Sequence, residues 1–261
     1  MSAPKIHPTA VVHPEAKVDP SCEIGPYCTV GAQVRMGPSN RLISHVVVDG
    51  NTEIGEGNVF FPFGVIGGVP QDLKYKGENT RLVIGNKNTF RESVTLNLGT
   101  VQGGGETRIG DSNLLMAVVH IGHDSRLGNH IILANNCAVA GHVTIDDYAN
   151  IGGMSAITQF NRVGAHCYAG AQSMIDRDVP PFSLIVGARP CLVKGVNIVG
   201  LRRKGYSAET ISKLNEAMKL WMRQDIEKVQ CLHEIEAQCG ETAEVAQLVA
   251  FIRGSQNGVL R

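Results

Sequence analysis

Between Ile109 and Ile175 an aliphatic residue recurs every sixth position without a slip: Ile109, Leu115, Ile121, Leu127, Leu133, Val139, Ile145, Ile151, Ile157, Val163, Ala169 and Ile175. A fixed short period of this kind marks a repeat architecture. The residue after each aliphatic is often Gly, Ala or Asp, and the fifth place is usually small or β-branched, as at Val119, Cys137, Val143, Ser155 and Cys167. Each hexad therefore predicts one short strand and a tight corner. Three hexads close a triangular coil of eighteen residues with its aliphatics stacked inside, so the fold class predicted is all-β, a parallel β-helix.

The same beat runs from the start of the chain through Ile6, Val12, Val18, Ile24, Val30, Met36, Leu42, Val48, Ile54, Phe60 and Ile66. It breaks twice. Between Ile66 and Ile84 the segment Gly67 to Arg81 carries Pro70 and a charged run where aliphatics belong, which predicts a loop at about 67–81. The beat resumes at Ile84, Phe90 and Leu96, then slips before Ile109, placing a second loop with three consecutive glycines at about 101–107. Insertions in a solenoid commonly mark its functional face.

Past Asp178-Val179-Pro180-Pro181 the hexads fade, and from Ser207 the period changes to three and four at Ile211, Leu214, Met218, Trp221 and Met222. That spacing predicts an amphipathic helix capped by Ser207, followed by helices over about 226–238 and 242–253 with Gly240 and Gly254 as stops. The organisation expected is a β-helix over 1–190 and a C-terminal α-helical domain over 191–261 that covers the coil's open end.

Composition narrows the picture. Lys and Arg total 24 against 24 Asp and Glu, so bulk charge implies no nucleic acid partner. Aromatics at 5% and 30 glycines suit thin coils with tight corners. No charged-then-apolar leader precedes Ile6 and no run reaches membrane-span length, so a cytoplasmic chain with no integral membrane segment is expected. Of seven cysteines, Cys22, Cys28, Cys137 and Cys167 occupy fifth places, where a thiol serves as a small buried hydrophobe. Outward apolar residues, read as Val47, Phe61, Phe63, Leu114, Met116, Val118 and Ile131, favour self-association.

Among nine histidines, His120, His123 and His142 stand out. His142 lies eighteen residues beyond Asp124, which places it one coil above at about 4.8 Å. A carboxylate beside an imidazole fixes its tautomer and supports a general base near neutral pH. Gly141 lies one coil above His123, where a bare backbone could offer its amide to an oxyanion. Two other readings stay open from these residues alone: polar decoration of a solvated face, or a zinc site built by His120, His123 and His142 across a subunit boundary.

Further segments carry a specific resemblance: Gln71-Asp72-Leu73-Lys74-Tyr75, the run from Gly99 to Gly105, Asn113-Leu114-Leu115-Met116, His120-Ile121-Gly122-His123-Asp124, Ala134-Asn135-Asn136, Ala140-Gly141-His142-Val143, Gly195-Val196-Asn197-Ile198 and the tail from Ser255 to Arg261. Together they resemble the UDP-N-acetylglucosamine 3-O-acyltransferases of lipid A biosynthesis over essentially the whole chain. The resemblance implies a left-handed coil, a homotrimer, and transfer of a 3-hydroxyacyl chain from acyl carrier protein to the 3-hydroxyl of a UDP-sugar. It implies no cofactor or metal, since the phosphopantetheine thioester arrives as co-substrate. On the matching positions His123 is the general base, Asp124 its orienting carboxylate and Gly141 the oxyanion amide. Asp72, Lys74, His142 and Gln159 match sugar- or acyl-contacting positions, Asn197, Arg203 and Lys204 the nucleotide side, and Ala171 the ruler of acyl length. Departures stand at Asn97 and Thr158, where the family has histidine, at Val199, where it has glutamate, and at Lys204, where arginine is common. They leave open a changed acceptor such as a UDP-3-amino sugar. A coenzyme A dependent sugar N-acyltransferase would share the fold and base.

Overall fold

The computed structural model describes residues 4–240 and 242–261; the first three residues, on which the leader expectation partly bears, lie outside the described residues. Three sheets, parallel except at the last strand of face 1, run the length of a triangular prism. Face 1 has eleven strands from Lys5–Ile6 to Leu192–Val196, face 2 has nine from Val11–Val12 to Met174–Ile175, and face 3 has eight from Lys17–Val18 to Arg162–Val163. The chain visits them in the order 1, 2, 3, so Lys5 pairs with Glu23 one full coil later. The coil is left-handed, against the usual right-handed crossover.

Each two-residue strand points its second residue inward. Ile24, Leu42, Phe60, Phe90, Leu115, Leu133 and Ile151 thus form one buried column behind face 1, with the Phe60 and Phe90 rings stacked at 4.8 Å. The corner that follows uses left-handed backbone at the fourth place of the hexad. From Ser112 to Gln172 every sixth residue, eleven in succession and none of them Gly, has φ between 56° and 67°. Such a conformation is costly for Val118 and mild for Asn or Asp, so coil closure rather than local preference imposes it.

The corner between faces 3 and 1 is bound by a buried asparagine ladder. Asn58 donates through its amide side chain to Asn40 Oδ1 at 2.9 Å, Asn88 to Asn58 Oδ1 at 2.9 Å, and the Asn113 backbone N–H to Asn88 Oδ1 at 2.8 Å. Ile131 continues that column at 0% exposure and donates its N–H to Asn113 Oδ1. It occupies a fifth place and faces inward, so the reading of Ile131 as an outward apolar residue was wrong. Val118 and Phe63 do face out, at 52% and 61% exposure.

Both excursions leave the coil between faces 2 and 3. The first runs from the strand Val65–Gly68 to the strand Arg81–Ile84; the second separates Thr95–Asn97 from Glu106–Ile109 and contains a short 3-10 turn, Val101–Gly103. Glu106 and Thr107, read from the sequence as loop, belong to the strand of face 3, held by pairing with Arg81 and Leu82. Arg81 links the two loops, donating its N–H to Gly105 O and accepting from Gly99 N–H.

Residues 192–196 also differ from expectation. The strand Leu192–Val196 pairs antiparallel with Ser183–Val186 and extends face 1, so the sheet runs past residue 190 before the helices begin. Four helices follow among the described residues: α1 Ile198–Arg203, α2 Ala208–Trp221, α3 Lys228–Cys239 and α4 Ala243–Arg253. Ser207 caps α2 and Thr242 caps α4, each side chain accepting a backbone N–H. The six-residue α1 was not anticipated; its N-cap Asn197 closes the first turn by accepting from Gly200 N–H. The final residues lock the helices to the prism: Trp221 Nε1 donates to Leu260 O at 2.7 Å, and Leu260 N–H donates to Asp178 O at 2.9 Å.

Candidate active site

Asp124 and His142 are both left-handed corner residues between faces 2 and 3, separated by one coil, so their side chains leave the prism in register. His142 Nε2 lies 3.7 Å from Asp124 Oδ2. His123, one residue before the corner, directs Nδ1 to the same oxygen at 2.7 Å. The carboxylate only accepts, so Nδ1 carries a proton, and in the neutral imidazole Nε2 is then the nitrogen with the lone pair. The His142 ring meets His123 edge-on at 5.1 Å and stacks on Phe160 at 4.5 Å from the next coil.

Gly141 lies against the His123 ring. A Cβ there would fall 2.7 Å from His123 Cε1 and 2.9 Å from Nε2. Only hydrogen fits beneath the imidazole, which leaves the Gly141 backbone beside the basic nitrogen.

Asp124 is closed from solvent on its side-chain atoms, whereas His123 retains 16% and His142 21%. Its cover is the second excursion, because Thr100 donates both N–H and O–H to the carboxylate; from the adjoining strand of face 3, Thr107 accepts the Asp124 backbone N–H at 2.7 Å. Thr100 and Thr107 were not singled out by the sequence reading. The Gly99 to Gly105 run was visible, but its contact with Asp124 was not.

Burial lowers the His142 pKa from its ordinary value although Asp124 pulls it upward; His123 and Lys74 add to the lowering, and Asp72 opposes it. His120 is lowered by burial and then by the charge of His123, and its Nδ1 bonds Thr95 Oγ1 at 2.8 Å on face 2. The cluster of potential metal ligands among the described residues is therefore His123, Asp124 and His142, with ligand atoms within 4.8 Å, and His120 is not part of it. The Asp124 oxygens in that cluster already accept from Thr100 and His123.

Asp72 and Lys74 sit on the first excursion, where Lys74 N–H donates to Asp72 Oδ1 at 2.9 Å. Gln159 is exposed beside Phe160 on the same edge as the histidines. Two departures are committed to the coil itself. Asn97 is buried and donates to Val69 O at 3.1 Å at the root of the first loop, leaving its Oδ1 without a partner. Thr158 Oγ1 donates to Ile175 O and accepts from Asn161 Nδ2 at 2.6 Å.

The remaining predicted residues lie elsewhere on the prism. Asn197, Val199, Arg203 and Lys204 line a cavity of about 690 Å³ between face 1 and the start of the helical region. Its wall includes a column of corner rings, His130, Tyr148 and His166, stacked at 4.7 Å, with the Lys204 ammonium 4.4 Å above Tyr148. The Asn197 side chain is occupied, capping α1 and donating to His166 O at 3.0 Å. Ala171 is exposed at the corner between faces 1 and 2. One chain thus distributes its candidate residues over three edges.

Comparison with known proteins agrees with this architecture. A family model described as UDP-N-acetylglucosamine O-acyltransferase, domain 2, matches residues 178–260. The solved LpxA of Acinetobacter baumannii is 44% identical, with 98% of this chain and 100% of that chain covered and a TM-score of 0.95. The chain belongs to the UDP-N-acetylglucosamine O-acyltransferase family. The family's Bacteroides fragilis member aligns at 38% identity and TM-score 0.96, and its Arabidopsis member at 32% and 0.85, each over 98% of this chain and 100% of its own. This acyltransferase contains, among its described residues, no helix long and apolar enough to cross a membrane.

Proposed function

We propose that this enzyme moves a 3-hydroxyacyl chain from the phosphopantetheine thioester of acyl carrier protein to the 3-hydroxyl of UDP-N-acetylglucosamine, the first step of lipid A biosynthesis, in the cytoplasm. The observation that carries the reading is the free Nε2 of His123, set between Asp124 and the bare backbone of Gly141. His123 Nε2 takes the proton of the sugar hydroxyl as its oxygen attacks the thioester carbonyl. Asp124 stabilises the imidazolium that forms. The Gly141 N–H, which finds no protein partner among the described residues, stabilises the oxyanion. Collapse breaks the C–S bond, and the pantetheine sulfur leaves with the proton from His123.

Asp72, Lys74, His142 and Gln159 hold the sugar and the acyl head, Asn197, Arg203 and Lys204 the nucleotide, and Ala171 limits acyl length. These groups occupy different edges of one prism, and six residues of extended chain span roughly 20 Å between edges. No single ligand on one chain joins them directly. A homotrimer in which one prism's edge faces its neighbour's cavity resolves this, and it covers Val118 and Phe63, which are otherwise exposed.

The commitment of Asn97 and Thr158 to the coil favours one further reading, a shifted acceptor such as a UDP-3-amino sugar. The test is acyl transfer from 3-hydroxyacyl carrier protein to UDP-N-acetylglucosamine or its 3-amino analogue, with wild type and His123→Ala. Ester product abolished in the variant is expected. Amide product alone would move the acceptor, and product from neither would sink the assignment.

A further inference from the structure

We propose that Thr100 is a positioning residue for the acid–base pair, holding Asp124 so that it presents a defined charge to His123. The inference rests on the reading of His123 as general base.

The Asp124 carboxylate is fully withdrawn from water. Ionised in that state, it must be compensated by directed donors. Thr100 provides two of them, its N–H to Oδ1 at 2.7 Å and its O–H to Oδ2 at 2.6 Å. His123 Nδ1 supplies the third, to Oδ2 at 2.7 Å. The hydroxyl is used in both senses, its proton donated to the carboxylate and its oxygen accepting the Gly103 N–H at 3.2 Å. Gly103 itself closes over Asp124 so tightly that any Cβ would overlap the carboxyl carbon. The second excursion is thus a fitted lid on the orienting group, with Thr100 as its point of contact.

Sharing Oδ2 between two donors has a functional consequence. The charge available to the His123 imidazolium is reduced by whatever Thr100 draws, so the hydroxyl sets both the angle of the ring and its affinity for a proton. Other charged or titratable groups around His123 are His142 from the next coil and His120 from face 2, with Asp72 and Lys74 of the first loop acting on His142. Substitution at Thr100 alters none of them.

The test compares Thr100→Val, Thr100→Ser and His123→Ala in the full enzyme, over a pH series. For Thr100→Val, kcat should fall about tenfold with the acceptor KM within about twofold, and the acidic limb of kcat/KM should move up by about half a pH unit or more. Thr100→Ser, which keeps the hydroxyl, should return both toward wild type. A second readout needs no acceptor: the pH dependence of His123 modification by diethylpyrocarbonate, mapped by mass spectrometry, should shift in the same direction. If the valine variant does not fold, Thr100→Ala carries the same comparison without added bulk. Wild-type kcat and an unmoved limb in a folded hydroxyl-free variant, with His123→Ala inactive, would overturn the inference and leave the base in place. An active His123→Ala would overturn both.

Discussion

Gly141 and His123 are in contact across one coil, with the glycine Cα beneath the imidazole so that a Cβ would lie 2.7 Å from Cε1. Gly141→Ala must therefore push the ring off its line to Asp124. We expect kcat to drop about a hundredfold while stability changes by less than about 1 kcal/mol, because the corner is otherwise unaltered. Steady-state kinetics and a melting curve on the same preparation check this. A kcat within twofold of wild type would contradict it.

Three histidines give the fold an acid-sensitive component. Burial lowers His120, His142 and His166 below the ordinary value of 6.5; the charge of Lys204 adds to the effect at His166, and Asp147 opposes it. Each group binds its proton more tightly in the unfolded chain, so this contribution is full above about pH 6.5 and is lost as pH falls through the folded values. Asp146, raised by burial against the pull of Arg162, acts in the opposite sense lower on the scale. The melting midpoint should fall between pH 7.5 and pH 5.5, and His120→Gln should flatten that slope. An unchanged slope in the variant would remove His120 from the account.

Asn88 is the middle rung of the corner ladder, donating to Asn58 Oδ1 and Gly110 O and accepting from Asn113 N–H. Truncation to alanine leaves Gly110 O and the Asn113 N–H without partners, while Asn58 Oδ1 still accepts the backbone N–H of residue 88. A loss of about 2–4 kcal/mol is expected in chemical unfolding. A surface-like change of a few tenths would mean that water enters the corner and replaces the amide.

All seven cysteines are free and buried. Cys167 is the extreme case, its thiol pushed up to about 12 by burial and the nearby Asp146 charge. Thiol reagents at neutral pH should find no rapidly reacting group in the native enzyme and all seven after denaturation. A fast native thiol would identify a corner that opens.

The sequence alone determined whatever follows from a fixed period. Aliphatics every six residues force short strands and corners, and three hexads close a coil, so residues eighteen apart become neighbours. That arithmetic pairs His123 with Gly141 and Asp124 with His142, as the folded chain does. It also places Cys137 and Cys167 inside, and Ile131, expected outside, is buried because it holds the same fifth place. Tertiary structure decided everything that crosses a break in the period. Thr100 reaches Asp124 over 24 residues, and the asparagine ladder spans intervals of 18, 30 and 25 residues, because a loop's path is set by what it packs against. The antiparallel strand Leu192–Val196 and the Trp221 bond to Leu260 arise for the same reason. Within the unbroken run the count already puts Ala171, 48 residues or two and two-thirds coils beyond His123, on another edge, but it could not place the cavity lined by Asn197, Arg203 and Lys204, which lie past the last hexad. Position around the prism depends on the residue count through every excursion, and only the folded chain fixes where each excursion rejoins the coil.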